Sequence, residues 1–208
     1  MVRYSGGTMQ YLLLLSQLIN GSQIGINIWA FQAMKVVASP LLNSIMSPLA
    51  ESFYVVIPAV ALYLYFRKKD KNAYSFIVAA VALFIVGDIL KHIFQEPRPC
   101  SLQELSWINS VGCEGGYSFP SDHATVLTGL VFFIKRYKYL RIAYIVWLIA
   151  VLFGRVYLGA HYLTDVFAGI VISLAVAYVI YRFEDRINGV ANAIVRKVLP
   201  PLALQESS

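Results

Sequence analysis

Five apolar stretches, at about 49–66, 73–94, 119–134, 139–157 and 161–181, are separated only by short polar breaks, and they constrain this chain more than any other feature. Side chains this apolar have no stable arrangement as separate helices in water, whereas ~20 apolar residues in a helix match the ~30 Å of hydrocarbon in a bilayer. Of the 208 residues, 59% are hydrophobic and 13% charged, against roughly 25% charged in soluble domains. The fold class expected is all-α, a polytopic transmembrane helix bundle with five spans plus an N-terminal interfacial or sixth helix. Some stretches are short for the hydrocarbon, a mismatch that tilt or local thinning accommodates. The short breaks leave no room for a second soluble domain.

Residues 1–48 read as an N-terminal segment that is interfacial or partly spanning. The apolar run at 11–19 is too short to cross and is interrupted by Asn20, Gly21 and Ser22, while 24–39 carries Asn27, Gln32 and Lys35 among apolar residues, which suits a helix in the headgroup region. A cleavable signal peptide is not expected, because only Arg3 supplies an n-region charge. Residues 49–186 form the transmembrane core, with a long loop at 95–118, and 187–208 read as a cytoplasmic tail.

The loops set the orientation. If the five stretches alternate, one side receives Arg67, Lys68, Lys69, Lys71, Lys135, Arg136, Lys138, Arg141, Arg182, Arg186, Arg196 and Lys197, twelve of the seventeen basic residues. The positive-inside rule places that side in the cytoplasm and the 95–118 loop outside. A basic rim against anionic lipid accounts for the formal net charge of +6, so no nucleic-acid partner is implied. Cys100 and Cys113 both fall in the outer loop, where an oxidising compartment favours a disulfide between them. Such a bridge stabilises by roughly 3 kcal/mol and restrains the loop. Two free thiols are the plainer alternative, and metal ligation by the pair lacks a further Cys or His within the loop.

The outer side holds only Lys91, Arg98 and Arg155 as cations, together with His123, His161, Asp122 and Asp165 at helix ends. One arginine near a helix end ordinarily snorkels, but three cations gathered with two histidines on the cation-poor side point to function. Phosphoryl transfer spreads negative charge over three oxygens and depends on positioning and electrostatics, which these cations supply without a metal. Prolines on both sides of Arg98 restrict its backbone. Pro120-Ser121-Asp122-His123 opens a helix, where free N–H groups and the Ser121 hydroxyl make an anion site, although alone it is an ordinary helix start. His161 and Asp165 are four residues apart and share a helix face, so the carboxylate can fix the imidazole tautomer and leave the other nitrogen to attack phosphorus. Asp88 is expected to pair with Lys91, His92 to be structural, and Glu96 to balance charge.

Taken together, Lys91 to Arg98-Pro99, Pro120-Ser121-Asp122-His123, and Gly154-Arg155 to His161 to Asp165 resemble the three-part signature of the type 2 phosphatidic acid phosphatase (PAP2) superfamily of membrane lipid phosphatases. The resemblance covers 88–165 strongly. It implies that His161 is the nucleophile, Asp165 orients it, and His123 protonates the leaving oxygen. Lys91, Arg98, Ser121 and Arg155, with Asp122 beside them, form the phosphate-binding set, and neither cofactor nor metal is required. Asp122 replaces the family's glycine and Gly154 its serine. The Pro-Ser-Asp-His form looks like the undecaprenyl-diphosphate phosphatases of the superfamily, so the expected substrate is a polyprenyl diphosphate of undecaprenyl or dolichyl type. Phosphatidic acid or phosphatidylglycerol phosphate is the alternative lipid. A lipid-phosphate-binding transporter and a vanadate-binding oxidase are alternatives of other classes. No protein partner is expected.

Overall fold

Apolar side chains cover the outside of the bundle as well as filling its core. Large aliphatic and aromatic side chains such as Val81, Phe84, Val146, Ile149, Phe167 and Val171 face outward, while Ser75, Thr125, Ser173 and Asn192 are buried. Lipid tails solvate the outward set, and small or hydrogen-bonding residues hold the helices to each other. The computed structural model describes residues 24–101 and 115–198, and among them every regular element is helical.

The order is α1 (Gly25–Val37), α2 (Pro40–Glu51), α3 (Phe53–Leu62) running into a π turn at Tyr63–Arg67, α4 (Asn72–Phe94), and a 3₁₀ turn at Pro99–Ser101. Then follow α5 (Asp122–Leu130) with its 3₁₀ extension Val131–Ile134, α6 (Lys138–Tyr157), α7 (Leu163–Arg182) and α8 (Glu184–Val198). Three of these, α4, α6 and α7, at 23, 20 and 20 residues, are long and apolar enough to span. A fourth candidate is α2 and α3 together, bent by 43° at Ser52. The break is pinned there: the Ser52 hydroxyl donates to the Leu49 carbonyl at 2.6 Å and accepts from the Trp147 indole at 2.8 Å.

The described residues therefore hold three or four candidate spans, and the expected count of five or six is not reached. The stretch expected at 119–134 is a helix of 13 residues, Asp122–Ile134, and at 1.5 Å per residue covers only ~20 Å. The first stretch begins at Pro40 rather than 49, because Pro at the first helical position and the Ser39 side chain accepting from Leu42 N start a helix there. The last begins at Leu163, leaving His161 in the turn before it. The segment expected as a tail is helical to Val198, and α8 docks on α4 through Asn188 accepting from Ser75 and Asn192 accepting from Tyr74. Near the start of the described chain, Asn27 of α1 bonds Thr164 through both its amide nitrogen and its oxygen, tying α1 to the first turn of α7.

The contact that positions the site is between α5 and α7. A Cβ on Gly169 would lie 2.7 Å from Ala124 Cβ and 3.0 Å from the Ser121 carbonyl oxygen, and one on Gly129 would lie 2.7 Å from Ala177 Cβ. Glycine at both positions lets the helix axes approach until the N-terminus of α5 lies beside that of α7. Gly169→Ala should therefore push the α5 N-terminus away, destabilising by about 1–3 kcal/mol and lowering kcat. Unchanged thermal stability and turnover in detergent would contradict this packing.

Candidate active site

Two chain reversals bring the sequence motifs together. After α4, Gln95 ends the helix with a left-handed backbone (φ 51°), and Glu96-Pro97-Arg98 turns back across the bundle. After α6, Gly159 (φ 67°) makes the reversal that a side chain would strain, so that the N–H groups of Ala160 and His161 both donate to the Arg155 carbonyl, at 3.1 and 3.2 Å. The two reversals are joined by Cys100 N–H donating to the Gly159 carbonyl at 2.9 Å. A cis Phe119-Pro120 bond leads into Ser121, the N-cap of α5.

His161 lies at the centre, fully buried. Its Nδ1–H donates to the Ser118 carbonyl at 2.9 Å, and Nε2 accepts from the Arg98 guanidinium at 3.2 Å, which assigns the Nδ1–H tautomer. Burial, followed by the positive charges of Arg155, Arg98 and Lys91, holds this imidazole well below the ordinary histidine range. The ring is therefore neutral at physiological pH, with its lone pair on Nε2.

Asp165 is not the direct partner that the four-residue spacing suggested. Its Oδ2 lies 3.7 Å from His161 Nδ1, beyond hydrogen-bond range. Instead it accepts from the Ser118 hydroxyl at 2.5 Å and from Tyr162 N–H at 2.9 Å, closing a capping box at the start of α7. Asp165 thus holds Ser118, and the Ser118 carbonyl holds His161. Glu96, expected to balance charge, is buried, and its carbonyl accepts from Ser118 N–H at 2.7 Å. Neither Ser118 nor Glu96 was singled out as a functional residue by the sequence. The only signal for Ser118 was its place two residues before Pro120.

The cations surround this centre. Lys91 donates to the Tyr117 carbonyl at 2.7 Å and pairs with Asp122 at 3.4 Å, so the carboxylate that replaces the family's glycine is neutralised by a cation of the set. Asp88 does not hold Lys91 as expected; it sits 3.6 Å from His92 Nδ1 on the exposed side of α4. Arg98 also donates to the Ala160 carbonyl at 3.0 Å. Arg155 is buried, and one of its terminal nitrogens lies 3.3 Å from Glu51. Ser121 is fully buried, with no hydrogen-bond partner for its hydroxyl among the described residues. His123 Nε2–H donates to the Ala50 carbonyl at 3.1 Å, and the ring packs edge-on against Phe53. A cavity of about 450 Å³ opens from Asp122 and His123 along Phe53, Phe84 and Val126, apolar on the side away from the charges. The expected Cys100–Cys113 bridge lies outside the described residues, since Cys113 falls within 102–114.

Residues 71–188, more than half of the chain, match the PAP2 superfamily. The chain belongs to that superfamily. An undecaprenyl-diphosphatase of Sulfolobus acidocaldarius is 28% identical over 174 residues, 81% of this chain and 84% of the relative. A lipid A 4'-phosphatase of Porphyromonas gingivalis is 28% identical over 68% of this chain and 69% of its own length. The transmembrane PAP2-type phosphatidylglycerolphosphate phosphatase of Bacillus subtilis has the same fold, with a TM-score of 0.64 at 22% identity over 87% of this chain and 96% of that one. This PAP2 protein is thus a membrane-embedded lipid phosphatase, and the transporter and oxidase readings fall away.

Ser118→Ala keeps the carbonyl that holds His161 but removes the hydroxyl that ties it to Asp165. Its kcat should fall about tenfold, the rate equivalent of one net hydrogen bond of ~1.4 kcal/mol, with the protein folded. Wild-type kcat in this variant would show that Asp165 acts without Ser118.

Proposed function

We propose that this PAP2 enzyme hydrolyses a polyprenyl diphosphate to the monophosphate and inorganic phosphate through a phosphohistidine on His161. The observation that carries the mechanism is the Nδ1–H tautomer, because it leaves Nε2 as a buried, neutral nucleophile facing Arg98. A phosphoryl oxygen arriving there takes over the Arg98 hydrogen bond and frees the Nε2 lone pair. The lone pair forms the N–P bond as the P–O bond to the leaving group breaks, and His123, entering the step as imidazolium with its Nε2–H kept on the Ala50 carbonyl, gives that oxygen the proton on Nδ1. Lys91, Arg98, Arg155 and the Ser121 hydroxyl stabilise the three phosphoryl oxygens, which gain no counter-charge from solvent in so buried a site. Water then attacks the phosphohistidine, with His123 taking its proton, and phosphate leaves.

Substrate choice rests on Asp122. Its pairing with Lys91 keeps the carboxylate from repelling the phosphate, and the Pro-Ser-Asp-His form resembles that of undecaprenyl-diphosphate phosphatases. The Sulfolobus relative, matched over most of both chains, carries the name undecaprenyl-diphosphatase. The apolar cavity beside His123 would take the first part of a prenyl tail from the bilayer. The concentration of basic residues at the opposite end of the bundle supports an extracytoplasmic position for this end.

The test is phosphate release by the purified full chain in EDTA, comparing a long polyprenyl diphosphate with phosphatidic acid and phosphatidylglycerol phosphate. The diphosphate should be turned over fastest, and His161→Ala should lose more than about 99% of that rate. His123→Ala should impair diphosphate hydrolysis less than monoester hydrolysis, because a phosphate leaves more readily than an alkoxide and needs less acid catalysis. Preference for a glycerolipid would overturn the substrate assignment, and release that survives in His161→Ala would overturn the nucleophile.

A further inference from the structure

At the other end of α4 from Lys91, about 28 Å along the helix, the structure holds a second cavity, of about 520 Å³, that the phosphatase chemistry does not use. It lies between the turn at 67–72, the 3₁₀-to-α6 turn at 135–137, and the first turns of α8. Four cations line it, Lys68, Lys69, Lys71 and Arg136, against two carboxylates, Asp70 and Asp185.

The walls are built rather than merely charged. Asp70 is buried, and its carboxylate accepts from the Tyr137 hydroxyl at 2.7 Å and from Asn72 N–H at 2.9 Å, so its charge is turned into the protein. Burial, reinforced by Asp70, pushes the Tyr137 hydroxyl up to about 12, and it remains a donor across the physiological range. Lys68 is held by aromatic faces, 5.5 Å above the Tyr63 ring and 5.4 Å above the Tyr137 ring, an arrangement that fixes a cation without neutralising it. Arg136 lies 3.9 Å from Asp70, and among the described residues Lys69 and Lys71 pair with no carboxylate. Lys69 takes a left-handed backbone (φ 49°) to close the turn. The floor is fixed by Asn188, whose Oδ1 accepts from Ser75 and whose Nδ2 donates to Asn72.

Lys69 and Lys71 without a carboxylate partner, beside the ring-held Lys68 and around a cavity of small-ligand size (~300–1,000 Å³), make a cationic site suited to an anion. The position at the end of the spanning helices, beside an α8 whose Val190, Ile194 and Val198 are exposed on one face, puts the cavity at headgroup level. We propose that this cavity binds a phosphate group, either the phosphodiester of an anionic phospholipid headgroup or free inorganic phosphate. It is a second anion site, separate from the catalytic one.

The test uses the purified full chain in neutral detergent. Native mass spectrometry counts retained phosphatidylglycerol against phosphatidylcholine, and a separate titration follows binding of inorganic phosphate. Lys69→Gln/Lys71→Gln/Arg136→Gln is compared with Arg186→Gln/Arg196→Gln/Lys197→Gln, which removes equal charge outside the cavity. The first triple variant should lose at least tenfold in phosphatidylglycerol affinity while the second loses less than twofold, with basal turnover in phosphatidylcholine micelles unchanged in both. Loss confined to the inorganic phosphate titration would also support the site and assign it to free phosphate. Equal loss in the two triple variants, or no loss with either probe, would overturn it. If the first triple variant does not fold, Lys69→Gln and Lys71→Gln singly should each give a two- to fivefold loss of the same affinity, and its absence would overturn the site equally.

Discussion

The candidate active site depends on one buried carboxylate. Asp165 Oδ2 accepts from Ser118 and from Tyr162 N–H, and through these two bonds the loop before α5 is locked to the first turn of α7. Remove that carboxylate and Ser118 loses its anchor, the Ser118 carbonyl no longer fixes the His161 tautomer, and the Lys91 ammonium loses the backbone it leans on. The arrangement is demanding because the carboxylate is buried, and a buried charge is costly unless it is hydrogen-bonded, as Oδ2 is twice. The Glu96 carbonyl accepts from Ser118 N–H, so three segments far apart in sequence converge on the Ser118 turn.

Helix packing makes that convergence possible. The α5–α7 contact through Gly129 and Gly169 brings two N-termini side by side, so the positive ends of both helix dipoles face the same region. In a bilayer the hydrophobic effect does little to hold helices together, so close approach and hydrogen bonds take its place. The same logic appears at the opposite end, where Asn188 and Asn192 tie α8 to α4.

The site residues were legible because each motif is local. Lys91 to Arg98, Pro120 to His123 and Arg155 to Asp165 each span a few turns, and the spacing within each already puts cations, hydroxyl and imidazole on compatible faces. What spacing could not reveal is which partner wins when several are in reach. Four residues between His161 and Asp165 suggested a direct bond, but the capping geometry of α7 draws the carboxylate to Tyr162 N–H and Ser118 instead. Likewise Asp88, one turn from Lys91, loses to Asp122, which comes from another helix. Membrane character was clear from composition. The span count was not, since hydropathy sees neither the Ser52 break, which the Trp147 contact holds, nor that the 119–134 stretch starts its helix only at Asp122 and is too short to span.

The decisive question is whether His161 becomes covalently phosphorylated. Rapid quench of the full-length enzyme with a substrate labelled in its terminal phosphate should trap label on the protein that is stable to alkali and lost in acid, as an N–P bond requires. Peptide mapping should place it on His161, and the label should be absent in His161→Ala. An enzyme that turns over at full rate with no protein-bound label at any quench time, or with label on another residue, would contradict nucleophilic attack by His161.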